Sequence, residues 1–360
     1  MTAYWIVFAI MFLLQFIIKV DTQRGYLWKL IITFIPLFIY GAFRVDYGLD
    51  YAGYEEFFDR IHQNGLKDYE GERIEYGYGV LNFIMPSFRS LIILLTALTC
   101  TSYIFLFYKV LPPKYLWLAI LLLFLSGDKT IFFMFSGLRN SISISILILS
   151  VPLLKERKLL LFLLCMFLAS LFHKTAFIFF PIAYFISSDK NITRKEIAIW
   201  VGVFIFFWIF SATSMIEIVE TFTNYFLADR YDSYIEQINE LGDNRGLLIR
   251  IASVILFIPI IVFCTKHSFY AYGNVIMRLG LMYLMTNVLG SLNYRASHHF
   301  MMFFIVLLSY ILKYSKDNLF KYGYIIFVIA FLSYAFFGVY IGNPLFPYDV
   351  YESTIFGMID

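Results

Sequence analysis

The stretch that decides the fold is Leu27–Tyr54, LWKLIITFIPLFIYGAFRVDYGLDYAGY. After Lys29 it carries no charge until Arg44. A run this apolar satisfies its backbone in hydrocarbon only as a helix. The text then changes character. Arg44–Tyr54 sets one arginine, two carboxylates (Asp46, Asp50) and three tyrosines (Tyr47, Tyr51, Tyr54) at the mouth of that helix.

The same alternation recurs along the chain. Of its 360 residues 61% are hydrophobic and 15% charged, and the mean hydropathy is +0.76. A soluble domain of this size has more charge with which to cover its surface, so the chain is read as an all-α integral membrane protein. Twelve apolar runs lie near 3–20, 27–43, 90–109, 115–126, 139–154, 159–172, 175–188, 197–213, 247–265, 274–290, 299–312 and 322–342. They predict a polytopic bundle of about 12 transmembrane helices forming one integral-membrane domain, 1–360. Met1–Val20 lacks a basic leader and a small-residue cleavage site, so it is expected to be a retained first span. Cys100, Cys165 and Cys264 all fall inside apolar runs and are expected to be free thiols.

Charge placement gives orientation. With Lys19–Lys29 set inside and the spans alternating from there, the cytoplasmic segments hold 16 of the 28 basic residues and five of the 25 acidic ones. Basic residues gather on the cytoplasmic side of membrane proteins. Three external segments follow: 44–77, 214–246 and the tail 343–360. The first is acidic. The second includes Tyr225, Arg230, Tyr231, Asp232 and Tyr234. Residues 78–89, with Pro86 and Arg89, are expected to be interfacial or re-entrant.

The runs 159–172 and 175–188 are short. Fourteen helical residues cover about 21 Å, against a hydrocarbon core of about 30 Å. Their apex, Phe172-His173-Lys174-Thr175, is therefore expected to sit below the outer surface. The run 115–126 is similarly short and stops at Gly127-Asp128-Lys129. Irregular backbone at such depth needs protein or a water-filled cavity around it.

Several polar groups can carry chemistry, each with a plainer reading beside it. Arg44, Asp46, Asp50 and Tyr54 are either solvated interfacial residues or a fork, two acceptors and a flat face for an anionic, hydroxyl-rich ligand. Glu75-Tyr76-Gly77-Tyr78 is either a turn into the membrane or a second carboxylate near the first cluster. Arg139 and Asn140 open the fifth span, followed by Ser141, Ser143 and Ser145. The serines suit helix packing, whereas an intramembrane arginine is a functional candidate unless it only snorkels. His173, beside Lys174, is either a satisfied structural histidine or a base or phosphate contact. Adjacent His298 and His299 point in different directions on a helix, which argues against a metal pair. Arg295 is the stronger candidate there. Arg250 is a further cation, and Arg278 is read as a cytoplasmic anchor.

Phe43-Arg44, Gly48, Asp50-Tyr51 and Tyr54, then Glu75-Tyr76-Gly77-Tyr78, then Gly137-Leu138-Arg139-Asn140-Ser141, then Phe172-His173-Lys174-Thr175-Ala176 occur in that order. The set resembles the EpsG family of bacterial polysaccharide polymerases, related in role to the Wzy O-antigen polymerases. The resemblance is carried by the first half of the chain; in the second it rests on Arg295 and Pro347-Tyr348. Asn140 stands where relatives are expected to have Gln. The resemblance implies a membrane glycosyltransferase of GT-C-like build in the bacterial inner membrane, with its active site facing the periplasm or cell exterior. Such an enzyme moves a growing glycan from one undecaprenyl diphosphate carrier to the repeat unit on a second. On that reading Arg44, Arg139 and Arg295 stabilise the departing diphosphate. Asp46, Asp50 or His173 takes the acceptor proton. Tyr51, Tyr54, Glu75, Tyr78 and Asn140 hold sugars. No metal, other cofactor or nucleic acid is implied. The partners are the lipid-linked oligosaccharide, the bilayer and a chain-length regulator protein. An O-antigen ligase-like transferase, a flippase or transporter for lipid-linked units, and a membrane acyltransferase are the alternatives.

Overall fold

The computed structural model describes residues 2–48, 50–66, 74–188, 190–212, 243–266, 272–288, 294–337, 351–355 and 357–359. The external segment 214–246 and the tail from Asn343 therefore lie largely outside the described residues. Of the side chains singled out in 214–246, none is described.

Helices dominate. In chain order they are α1 (Thr2–Ile17), α2 (Gln23–Ala42), α3 (Tyr51–Asn64), α4 (Tyr76–Ile84), α5 (Phe88–Val110), α6 (Leu116–Leu125), α7 (Ile131–Ser136), α8 (Leu138–Lys155), α9 (Leu159–Ser170), α10 (Phe179–Ile186), α11 (Arg194–Ala212), α12 (Asp243–Lys266), α13 (Tyr272–Val288), α14 (Tyr294–Tyr314) and α15 (Asn318–Ala335). Apart from a few end residues, the runs lie on these helices where they are described, except that 175–178 belongs to a 3-10 turn, Lys174–Ile178, leading into α10. Among the described residues, five stretches, Gln23–Ala42, Phe88–Val110, Leu138–Lys155, Ala296–Tyr314 and Asn318–Ala335, are long and apolar enough to cross a membrane. Other apolar helices are shorter, among them α1, α6 and α9.

Local chemistry sets several helix starts. Thr22 accepts the Gly25 N–H at 3.0 Å, and Asp317 accepts that of Phe320 at 3.0 Å. Ser87 and Ser90 form a reciprocal capping box at α5. Each satisfies donors that a helix start otherwise leaves open. Pro112 and Pro113 lie just beyond α5, where the chain cannot continue as a helix.

The centre of the bundle is α14, in which every side chain from Phe300 to Ile311 is buried. α13 lies against it. A Cβ on Gly280 would stand 2.8 Å from Leu307 Cδ2 and 3.1 Å from Leu307 Cβ, so glycine lets the two helices approach without displacing Leu307. The periphery is apolar and exposed, as at Leu160, Leu161, Ile205 and Ile326. This is the surface expected of a protein solvated by lipid rather than water.

Within the first external segment, residues 51–64 form a helix rather than an interfacial loop. Its apolar residues at 51, 54, 57, 58 and 61 recur with helical spacing, and they are the buried face of α3. They pack with Tyr78, Phe88, Leu91, Leu138 and neighbouring residues as a second core, apart from the main one. Arg44–Val45 is a strand, β1, which pairs antiparallel with β2 (Tyr351–Ser353), and β2 pairs with β3 (Gly357–Ile359). Arg44 stands opposite Ser353, and Thr354 N donates to Phe43 O at 3.0 Å. Charge alternation placed the first loop and the tail on one side of the bundle; the sheet joins them.

Two polar clamps fix other parts. Arg278, read from sequence as a cytoplasmic anchor, is fully buried. It donates to both Glu196 oxygens at 2.7 and 2.9 Å and to the carbonyls of Ser188, Lys190 and Asn274. Lys129, past the end of short α6, donates to Asn287 Oδ1 at 2.7 Å and Tyr283 Oη at 3.0 Å.

Candidate functional site

At the end of the bundle that carries β1, three segments meet on one carboxylate. Glu75 immediately precedes α4. The Gly77 N–H donates to Leu171 O at 2.9 Å, which docks the start of α4 on the apex after α9. A Cβ on Gly77 would lie 2.7 Å from that carbonyl, so the contact requires glycine. Glu75 thereby faces the apex. Its Oε2 accepts from Arg139 Nη1 at 2.5 Å. Its Oε1 accepts from the Lys174 backbone N–H at 3.1 Å and contacts His173 Nδ1 at 3.2 Å.

The carboxylate is 8% exposed, and the side chains of Arg139 and His173 are 19% and 9% exposed. Burial alone would raise the Glu75 pKa. The His173 hydrogen bond, the Arg139 charge and the Lys174 N–H outweigh it and hold the group at about 2. Glu75 is therefore a fixed anion at neutral pH. With Nδ1–H directed at Glu75, the neutral form of the ring presents Nε2 as an acceptor, and Nε2 is buried with no hydrogen-bond partner among the described residues.

Aromatic rings form the wall. Tyr54 Oη accepts a hydrogen bond from Arg139 Nε–H at 3.4 Å. The Arg139 guanidinium also lies over the Tyr54 ring at 5.9 Å. Tyr54 meets Tyr78 edge to face, with centroids 5.4 Å apart. Tyr78 is fully buried, and its carbonyl receives Asn82 Nδ2 at 2.7 Å. Tyr51, one turn before Tyr54 at the start of α3, is edge-on to Phe88 at 5.2 Å.

Not every residue singled out from sequence converges here. Arg44 is 1% exposed, and its guanidinium donates to Gly41 O, to Phe135 O at 2.8 Å and to Thr96 Oγ1 at 3.3 Å. It ties α2, α5 and α7 together and lies over the Phe135 ring at 4.8 Å. A guanidinium engaged by three protein acceptors is placed as a staple. Asp46 and Asp50 are exposed, and Asp46 is in the left-handed turn region, with φ 43°. Arg295 lies in the first turn of α14, but its side chain is outside the described residues, as is that of Arg250.

Sequence reasoning missed a second polar cluster. His299 Nε2 lies 3.2 Å from Ser143 Oγ and 3.4 Å from Thr175 Oγ1. His299 and Ser143 are fully buried. The only signal was a histidine pair in an apolar helix, and nothing in the sequence indicated the partners. Among the described residues, no three His, Cys, Asp or Glu side chains are grouped as metal ligands.

An apolar helical bundle with a buried Arg–Glu–His network at one end defines the class: a polytopic membrane protein with a polar site among its helix ends. Within that class the chain belongs to the EpsG family, whose model matches residues 26–350. The match spans α2 to the approach to β2, so it covers both halves of the chain. No curated protein and no solved structure matches it.

Proposed function

We propose that the chain is a glycosyltransferase that polymerises a polysaccharide from lipid-linked repeat units. The bundle would cross the bacterial cytoplasmic membrane twelve times, with GT-C-like architecture and both termini outside. The Glu75–Arg139–His173 site would open at the outer face, near the headgroups of undecaprenyl diphosphate carriers. The observation that carries this reading is the network itself. It is a buried base, oriented by a carboxylate that stays ionised, beside a guanidinium.

The chemistry follows from those groups. An acceptor hydroxyl on one repeat unit attacks the anomeric carbon of the glycan on the second carrier. His173 Nε2 takes the hydroxyl proton as the new C–O bond forms. The bond from the anomeric carbon to the diphosphate oxygen breaks, and undecaprenyl diphosphate leaves with its electron pair. Arg139, with the exposed Lys174 ammonium at the same apex, stabilises the charge that develops on the diphosphate. Glu75 itself is too weak a base for this step, being held at about 2, and serves to orient His173 and Arg139. Tyr54 and Tyr78 offer ring faces to sugars.

The test is reconstitution in proteoliposomes with a lipid-diphosphate repeat unit and no nucleotide sugar. A ladder of products is expected. Elongation that appears only when a nucleotide sugar is added overturns the assignment. Transfer of a single glycan to a lipid A core in place of a ladder would point to the ligase-like reading instead.

A further inference from the structure

Asn140 follows Arg139 on α8 but faces a different side. It shares a helix face with Ser143, three residues on. Ser143 contacts His299 of α14, so Asn140 lies one turn nearer the site end of the same seam. It is 3% exposed, and among the described residues neither its amide nitrogen nor its amide oxygen has a hydrogen-bond partner. A buried primary amide left with two donors and an acceptor unmet is costly, and such groups are few in folded proteins. The polar groups around it are arranged without using it: Ser143 and Thr175 are both engaged by His299 Nε2.

The seam adjoins the ionic network through the chain itself. α8 supplies Arg139 to the network and Asn140 and Ser143 to the seam. The apex after α9 supplies His173 to the network and Thr175 to the seam. Thr175 is half-buried, so the seam has a polar wall at the protein surface.

We infer that Asn140, with Ser143, Thr175 and His299, forms a subsite for the hydroxyls of the sugar attached directly to the lipid diphosphate. This rests on the proposed function and deepens it. An amide that donates and accepts side by side matches a pair of neighbouring sugar hydroxyls, each of which can do both. No apolar or purely anionic ligand would satisfy both halves of the amide. The sugar next to the diphosphate is the part of the substrate held closest to Arg139, and Asn140 is its neighbour in sequence. Asn140 is thus a specificity residue and Arg139 a phosphate residue, set on different faces of one helix turn.

The experiment compares two ligands on the full-length protein in nanodiscs. One is undecaprenyl diphosphate carrying a repeat unit, extracted from cells that lack the polymerase. The other is bare undecaprenyl diphosphate. Wild type is expected to bind the glycosylated carrier more tightly. Asn140→Ala should weaken that binding about tenfold, the loss of paired hydrogen bonds in a buried site, and leave the bare carrier unchanged. Ser143→Ala should act in the same direction with a smaller effect. Arg139→Ala should weaken both ligands. A merely structural role for Asn140 would lower both affinities together, and that outcome overturns the inference. So does equal affinity of wild type for the two ligands, or an Asn140→Ala protein that still prefers the glycosylated carrier by the wild-type ratio. Product ladders in parallel proteoliposomes report separately on polymerisation. Their absence alongside the expected affinity pattern counts against the polymerase reading and not against the subsite.

Discussion

Glu75→Gln separates the carboxylate from every other feature of the site. The side chain keeps its length and planar shape, but one acceptor oxygen becomes an NH2 donor. In the native site Oε2 accepts a hydrogen bond from Arg139 Nη1 at 2.5 Å, while Oε1 accepts from Lys174 N at 3.1 Å and contacts His173 Nδ1 at 3.2 Å. Whichever way the amide turns, a donor faces a donor. Removing one partner of a buried ion pair costs about 3–5 kcal/mol. Arg139 keeps 19% of its side chain exposed, so solvent screening puts the loss at the lower end, about 3 kcal/mol. If the network is what positions His173 and Arg139, that loss corresponds to a fall of roughly 10²-fold in polymer formation. The assay is ladder formation in proteoliposomes at matched protein, with thermal unfolding in detergent beside it. The pH dependence has a definite sign. The folded pKa is lowered from 4.5 to about 2, so the carboxylate's contribution is complete above pH 4.5 and is lost as pH falls towards 2. The stability gap between wild type and Glu75→Gln should therefore narrow across that window. Elongation within about twofold of wild type, or a gap that stays constant down to pH 2, would refute the assignment of Glu75 as the hub.

Three further outcomes follow from particular contacts. Arg44→Ala should reduce the amount of folded protein, because Gly41 O, Phe135 O and Thr96 lose their shared donor; normal accumulation on immunoblot with polymer abolished would instead make Arg44 a substrate contact. Gly77→Ala should lower elongation roughly 10²-fold at matched protein, since the Leu171 carbonyl cannot yield to a Cβ 2.7 Å away and the start of α4 must shift Glu75; unchanged rate would show that α4 can redock. Asp59→Cys, on the exposed face of α3, should react with an impermeant thiol reagent in intact cells; protection would reverse the orientation.

The polarity of each apolar run is local, and so was its reading. Hydrocarbon admits backbone only as a helix or a closed barrel, and that rule places every run on a helix before any contact is known. Arg139, Glu75, Tyr54 and His173 were legible as polar residues at run ends, where ionisable groups are costly and need a reason. The α3 helix was also written in the spacing of Tyr51, Tyr54, Phe57, Phe58 and Ile61. Its acidic exposed face masked that spacing, because a segment this charged reads as solvated loop.

Which polar residues share a site depends on how helices far apart in sequence pack, and no local pattern encodes that. Arg44 and Arg139 look alike in the sequence, each at the edge of an apolar run. Only the tertiary structure places one against three backbone and hydroxyl acceptors and the other against Glu75. His299 is separated by well over a hundred residues from both Ser143 and Thr175, and α8, the apex after α9, and α14 bring the three within hydrogen-bonding distance. The tail strand beside Arg44–Val45 is decided in the same way, since a three-residue strand acquires its hydrogen bonds only from a partner the fold supplies. The sequence determined a membrane bundle and its charged end; packing determined which charges work together there.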